Sequence, residues 1–321
     1  MLVDIFEKND ILFFYAFFWQ KEHIMMDANT DLMLSLENGV YAEDAVSADN
    51  VTLYKIKNCI WAGRSPFCEE IVFANSPIYG KVLFLDREIQ SAQSDEALYH
   101  EHLVQPVMNA TADVARKRVL IIGGGEGATA REVLKWSSDS VAEVVWVDID
   151  GGLVELCRRH LGWAGDDVYN DPRLTYHAED IRHFFARDDS QFDVIIMDLP
   201  DPDCDMLAQT DDDEYGNYSL YGYQFMAQLR IHLRGPRAVV SHCGPIRPGE
   251  LDGVRWMLNA GGFGHGFPYH TVIPSFQGSW GFWMSVAPRS LAGDFPKDKM
   301  RIMDGDAQTA AFLWPAFWKL E

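Results

Sequence analysis

Phe192-Asp193-Val194-Ile195-Ile196-Met197, followed at once by Asp198-Leu199-Pro200-Asp201-Pro202, is the stretch that decides the fold. The apolar run reads as a buried strand of a parallel sheet, short and nearly uninterrupted by polar residues. Two carboxylates, Asp198 and Asp201, then stand just past its carboxyl end, where open α/β sheets place their ligands. Pro200 and Pro202 stiffen the turn by fixing φ and restricting the residue before each. Carboxylates held in this way can grip a cationic amine, and one of them can take a proton from it.

Working outward, the same strand-like pattern recurs at Arg118–Ile122, Glu143–Asp148, Arg173–His177 and Arg237–His242, with Tyr269–Ile273 and Gly281–Val286 closing the sheet. Helical segments fill the gaps at Thr129–Lys135, Gly152–Leu161, Ile181–Ala186, Tyr223–Leu233 and Glu250–Leu258. Strands alternating with helices imply βαβ units, and hence an α/β, Rossmann-like, doubly wound and mostly parallel sheet. Upstream the rhythm differs. Val51–Ile60, Glu70–Phe73, Lys81–Leu85 and Glu88–Gln90 are short runs broken by turns, which predict a small antiparallel β domain. A helix over Asp95–Met108 and the polar stretch Asn109–Lys117 lead onward. The expected organisation is an N-terminal extension over 1–34, the β domain with its helix over 35–108, and the Rossmann-like domain over 109–321.

The first strand of the larger domain ends in Gly123-Gly124-Gly125-Glu126-Gly127-Ala128. Glycines let a backbone approach a ligand closely, a property shared by dinucleotide enzymes and S-adenosyl-ligand enzymes. Ala128 breaks the G-x-G-x-x-G spacing of dinucleotide binders, and Glu126 would repel a pyrophosphate. A positively charged ligand suits this loop better. The next strand ends at Asp148, at the distance from the glycines where an acid hydrogen-bonds a ribose diol. Asp180 ends the third, placed to accept from an adenine amino group. Each acid alone could cap the following helix; their recurrence on successive strands favours a shared nucleoside site.

Composition narrows the function classes. The net charge of −21 argues against nucleic acid as a partner and either attracts polycations or serves solubility alone. The five cysteines are scattered without metal-ligand spacing, as expected of reduced thiols in a cytoplasmic protein. The histidines form no metal constellation, and neither a nucleophile elbow nor a phosphate-binding P-loop occurs. Ile11–Trp19 is apolar but too short to span a bilayer core of about 30 Å, so no membrane is expected.

Six ordered blocks resemble the polyamine aminopropyltransferases, the family of spermidine, spermine and thermospermine synthases. They are Tyr79–Asp86; Gln90–Glu96 leading to Tyr99-His100-Glu101; Gly123–Gly127 with Ala130-Arg131-Glu132; Asp148-Ile149-Asp150; Asp198–Pro202; and Pro274-Ser275-Phe276 with Trp280-Gly281, after which Ala310–Pro315 follows. The resemblance implies a fold like that of class I S-adenosylmethionine-dependent methyltransferases. It also implies transfer of an aminopropyl group from decarboxylated S-adenosylmethionine, a co-substrate rather than a cofactor, with no metal. Asp201 matches the base, and Tyr99 and Asp198 match groups that orient the amine. Glu126, helped by His100, matches the group that takes the donor's ammonium. Asp148 would hold the ribose hydroxyls, with Asp180 and Ile181 at the adenine; Gly123, Gly125 and Ile149 would also bind the donor, while Asp150 is structural. Cys68 stands where the family usually has glutamine, and Glu69 beside it is a candidate substitute.

Several features lean toward the spermine and thermospermine type: Glu126 in the loop, Leu199 in the turn, and Phe276 where putrescine users tend to carry tyrosine. Trp280 would wall the amine channel by cation–π contact. The segment Asp203–Tyr218, rich in aspartate, either selects longer polyamines or is a solvated insertion. The resemblance also implies a homodimer or homotetramer. A putrescine-using spermidine synthase is the alternative within the class. A methyltransferase on the same fold is disfavoured, because Glu126 would repel the donor's carboxylate, and a non-catalytic binder by the presence of Tyr99 and Asp201.

Overall fold

The structure, a computed structural model, describes residues 40–43, 52–201, 220–246, 266–289 and 295–314. The expectations for the extension over 1–34, the acidic segment 203–218 and the helix over 250–258 concern residues outside this set. Two compact units result, Met1–Asp95 with Arg159–Leu161, and Glu96–Arg158 with Gly162–Glu321. The connecting helix therefore groups with the larger unit.

In the smaller unit β1 (Val40–Glu43) pairs antiparallel with β2 (Thr52–Lys55). The strands β3 (Asn58–Gly63), β4 (Ile71–Ser76), β5 (Gly80–Leu85) and β6 (Glu88–Ala92) form a four-stranded antiparallel sheet in that order. The run Val51–Ile60 is thus two strands rather than one. The break falls where Lys57 N–H donates to Asn75 O at 2.7 Å, so that pairing passes from β1 to β4.

The larger unit carries a seven-stranded sheet. Its strands are β7 (Lys117–Gly123), β8 (Val141–Asp148), β9 (Leu174–Ala178), β10 (Phe192–Asp198), β11 (Leu233–Ile246), β12 (Phe267–Ile273) and β13 (Gly278–Met284), in the order β12-β13-β11-β10-β7-β8-β9. The run from β11 through β9 is parallel, and β13 is antiparallel to both its neighbours. Alternate residues of the parallel strands feed two separate cores. Val119, Ile121, Val144, Trp146, Val194 and Ile196 face one; Leu120, Ile122, Val145, Val147, Ile195 and Met197 face the other. Burial on both faces is why these strands read as continuous apolar runs.

Helices α1 (Glu96–Ala110) and α2 (Ala128–Leu134) contribute to the first core. The second receives α5 (Ile181–Arg187) and α6 (Tyr223–Ile231). Between them in sequence lie α3 (Gly151–His160) and the short α4 (Asp166–Tyr169), and α7 (Gly305–Ala311) follows the sheet. Pro106 sits inside α1 and cannot donate to the carbonyl four residues back. That carbonyl, of His102, instead accepts from the Tyr269 hydroxyl at 2.9 Å, so β12 supplies the hydrogen bond the proline removes. Lys117, at the end of the polar stretch after α1, is fully buried rather than solvated. Its Nζ donates to the carbonyls of Thr111 and Val114 at 3.1 and 2.9 Å, and burial lowers its pKa to about 8.

Candidate active site

β7 lies between β8 and β10, and chain order reverses there, so the crevice outside these carboxyl ends is the topological switch point. The glycine loop is shaped to meet it. Gly123, Gly124 and Gly127 have φ of 80°, 74° and 76°, conformations that favour glycine. Gly123 pairs with Asp198 in register, and Gly124 N–H donates to Asp198 O at 2.7 Å. A Cβ on Gly123 would fall 2.1 Å from that same oxygen. Trp146 on β8 donates Nε1–H to Gly123 O at 2.7 Å. The loop and the turn after β10 are thereby one rigid piece.

Both oxygens of the Asp198 carboxyl are held. Tyr99 on α1 donates to Oδ1 at 2.7 Å, and Thr129 in the first turn of α2 donates to Oδ2 at 2.5 Å. Burial first, then the negative charge of Asp198, drives the Tyr99 phenol well above its ordinary range, so it remains a donor. Asp201 is different: its side chain is 38% exposed and faces Nδ1 of buried His242 at 3.5 Å. The Tyr221 hydroxyl donates to Pro200 O at 2.5 Å and His242 Nε2 lies 2.5 Å from Leu199 O, which fixes the turn that carries Asp201.

On the other side of the crevice Glu126 Oε2 lies 3.8 Å from His100 Nε2. Burial alone would lower the His100 pKa, but the hydrogen bond to Glu96 and the charges of Glu126 and Glu96 raise it. Asp148 is buried, and one of its oxygens accepts from Asp150 N–H at 2.8 Å. Its other oxygen would lie 3.3 Å from a Cβ placed on Gly125, so it faces the loop. Burial, then the neighbouring charges of Asp150 and Asp198, raises the Asp148 pKa to about 6. Ile149 beside it is 43% exposed.

The acids ending the three strands therefore separate in role. Asp150 accepts from Leu153 N–H at 2.9 Å and caps α3. Asp180 is the N-cap of α5, accepting from Arg182 N–H at 2.8 Å, and both its oxygens also take the Arg182 guanidinium. Ile181 is buried at the start of that helix. Asp148 is the one of these acids with an oxygen turned to the glycine loop.

α1 is locked in place by buried charge. Glu96 takes the guanidinium groups of Arg131 and Arg301, at 2.8 and 2.5 Å. Its carboxyl is held below the usual range: burial opposes this, but the bonds from His100 and Arg131 override it. Fully buried Glu101 accepts Lys135 Nζ at 2.9 Å and the backbone N–H groups of Arg301, Ile302 and Met303 at 2.8, 2.8 and 2.7 Å. Tyr99 and His100 project from this fixed helix.

Around Asp198 and Asp201 the walls are aromatic. Phe276 lies 4.6 Å from Trp280 and 6.0 Å from Tyr99 between ring centroids, and Trp280 stacks on His242 at 6.1 Å and 21°. Cys68 and Glu69 belong to the smaller unit. There the Cys68 thiol donates to Glu70 O at 3.2 Å and is pushed up to about 12 by burial and then by Asp86, so it is an inert thiol; Glu69 is exposed. Thr129, Tyr221 and His242 escaped the sequence reading. The signal for His242 was available, because Ser241-His242-Cys243 lies at the carboxyl end of the strand next to β10. Among the described residues, no group of three or more His, Cys, Asp or Glu side chains is arranged to hold a metal ion.

Comparison with known proteins places the chain in a family. Residues 96–217 match the Spermine/spermidine synthase domain. Polyamine aminopropyltransferase 2 of Pseudomonas aeruginosa is 41% identical over 240 residues, which span 73% of this chain and 63% of that protein. A Synechococcus polyamine aminopropyltransferase is 38% identical over 232 residues, 71% of this chain and 70% of its own length. A crystal structure of spermidine synthase in complex with the transition-state analogue AdoDATO superposes with a TM-score of 0.71 at 22% identity, covering 93% of this chain and 97% of that one. The last shows the shared fold, a small antiparallel sheet preceding a mostly parallel Rossmann-like sheet. On the strength of the two sequence relatives, the chain belongs to the polyamine aminopropyltransferase family.

Proposed function

We propose that the protein transfers the aminopropyl group of decarboxylated S-adenosylmethionine to a polyamine, releasing 5′-methylthioadenosine. The observation that carries this is the set of four acids, Glu126, Asp148, Asp198 and Asp201, at the ends of β7, β8 and β10. Burial first, and then the charges of Asp150 and Asp198, disfavour the charged form of Asp148, and a cation bound beside these acids would relieve the charge repulsion. Asp198, with each oxygen held by a hydroxyl, orients the acceptor nitrogen together with Tyr99. Asp201, partly exposed and facing His242 Nδ1, is the base. It takes a proton from the amine, whose lone pair then attacks the aminopropyl carbon; the C–N bond forms as the C–S bond breaks, and its electrons stay on sulfur. The sulfonium is already an activated leaving group, so the step calls for no metal or further cofactor. Most of the acceleration comes from holding two substrates in line.

The donor lies over the glycine loop in this reading. Glu126 takes its ammonium, Asp148 the ribose hydroxyls, and exposed Ile149 offers an apolar face to the base. Asp180 is shared with Arg182, so adenine would meet an acid already paired. The acceptor is spermidine, giving spermine or thermospermine. Phe276 supports a polyamine longer than putrescine, since it offers a ring and no hydroxyl to a far ammonium. Incubation with the donor and putrescine, cadaverine, agmatine, norspermidine or spermidine, with products separated by chromatography, tests both parts. Spermidine is expected to react best. Preference for putrescine would overturn the acceptor assignment, and no methylthioadenosine with any amine would overturn the function.

Asp148 gives a separate check on the donor side. With its pKa raised to about 6 in the empty site, it carries a proton in a sizeable fraction of molecules at pH 6. Ribose hydroxyls donating to the carboxylate favour its charged form and lower that pKa. Bound protein then holds fewer protons than free protein, so binding releases protons and affinity rises as pH rises through about 6. Calorimetry of 5′-methylthioadenosine in two buffers of different ionisation enthalpy measures this release. Proton uptake, or none, would remove Asp148 from the ribose.

A further inference from the structure

His242 follows the stretch of β11 that pairs with β10, and its side chain is 2% exposed. Nε2 lies 2.5 Å from Leu199 O, and a carbonyl only accepts, so this nitrogen carries a proton. The tautomer is thereby set: in the neutral ring Nδ1 holds a lone pair. Nδ1 makes no hydrogen bond among the described residues and faces Asp201 Oδ1 at 3.5 Å. A lone pair directed at a carboxylate is repulsive, whereas one proton between the two makes a charge-assisted contact. The pair is built to share a proton.

The surroundings leave that proton few other places to go. Tyr99 from α1 is 5.9 Å away between ring centroids, Tyr221 precedes α6 and Cys243 follows on the same strand. Burial first, then nearby acids, pushes each of these three well up, so each keeps its proton at neutral pH. Asp198 has both oxygens engaged by hydroxyls. Trp280, stacked on the imidazole, does not titrate.

We propose that His242 is a positioning residue for the transfer: Nε2 fixes the Leu199–Asp201 turn, and Nδ1 receives from Asp201 the proton taken from the amine. The proposal rests on Asp201 as the base. In the first step an amine N–H bond breaks, its electron pair stays on nitrogen, and the proton goes to the Asp201 carboxylate. In the second the Asp201 O–H bond breaks, its pair stays on oxygen, and the proton joins the Nδ1 lone pair. The result is an imidazolium beside a regenerated carboxylate, which later yields its proton to water.

His242→Gln keeps an N–H able to reach Leu199 O but removes the titrating nitrogen. Three quantities are read: 5′-methylthioadenosine binding by calorimetry, KM for spermidine, and the pH profile of kcat. Binding and KM are expected to stay within about twofold while kcat falls, the pattern of a lost transition-state contribution. The low-pH limb of kcat is expected to change in the variant, because the proton taken from the amine then rests on a carboxylate alone instead of a coupled carboxylate–imidazole pair. An unchanged limb overturns the relay even if kcat falls. Should the variant not fold, nitrogen NMR of the unaltered protein decides: an Nε2–H tautomer of neutral His242 leaves the Nδ1 lone pair that the relay needs, and an Nδ1–H tautomer overturns the proposal. Turnover by Asp201→Asn would instead remove the base itself, so the two failures are distinguishable.

Discussion

Asp201→Asn is expected to lower kcat by roughly 10²- to 10⁴-fold, the range that a positioned proton-transfer group contributes. The amide keeps the size and turn geometry of the acid but cannot take a proton from an ammonium. Polyamine amines are protonated at neutral pH, with ordinary amine pKa values near about 10, so attack without a base draws on a very small neutral fraction. Donor binding should survive, because Glu126 and Asp148 lie at the ends of other strands. The measurement pairs methylthioadenosine release with calorimetric binding of the donor. Turnover within about tenfold of the parent would show that Asp201 is not the base. Asp198 is a poorer candidate for that role, since Tyr99 and Thr129 fix both its oxygens and leave it little freedom to follow a proton.

The second large effect is structural in origin and functional in outcome. Gly123→Ala is expected to destabilise the fold by about 3 kcal/mol, combining a left-handed backbone and overpacking. Here φ is 80° and the new Cβ would meet Asp198 O at 2.1 Å. That oxygen is backbone and already accepts Gly124 N–H, so it cannot step aside without opening the β7–β10 seam. Donor binding should fall with stability, because the loop and the aspartate turn move together. Chemical denaturation and methylthioadenosine calorimetry report the two losses. Gly278→Ala is the matched comparison, since a Cβ there meets nothing within 4 Å. Equal losses in both variants would show that the close approach at Gly123 is not what matters.

Much of the parallel sheet was legible because its strands are buried on both faces and so are written as apolar runs with little else to mean. The acids at strand ends were legible for the same reason: a carboxylate directly after such a run either caps the next helix, as Asp150 and Asp180 do, or faces the crevice. Their division of labour was not. Asp148 and Asp180 look alike in sequence, yet Arg182 two residues on claims both oxygens of Asp180, while among the described residues no guanidinium is placed beside the loop-facing oxygen of Asp148. Contacts across long sequence separations were also hidden. Thr129 reaches Asp198 over 69 positions, and His242 reaches the turn only because β11 pairs with β10. The burial of Lys117 was hidden too, because it depends on the carbonyls of Thr111 and Val114 in the turn after α1.

The anchoring of Glu101 has a kinetic meaning. Swinging α1 aside would strip a fully buried carboxylate of Lys135 and of the backbone groups of residues 301 to 303. Breaking a buried ion pair costs about 4 kcal/mol, so the displaced helix would be populated in about one molecule in a thousand. Tyr99 and His100 ride on that helix and are therefore present, in register, before any substrate arrives. In the proposed reaction, substrates exchange through other parts of the chain, and the amine meets a half-site whose ordering entropy was spent during folding, not at each encounter.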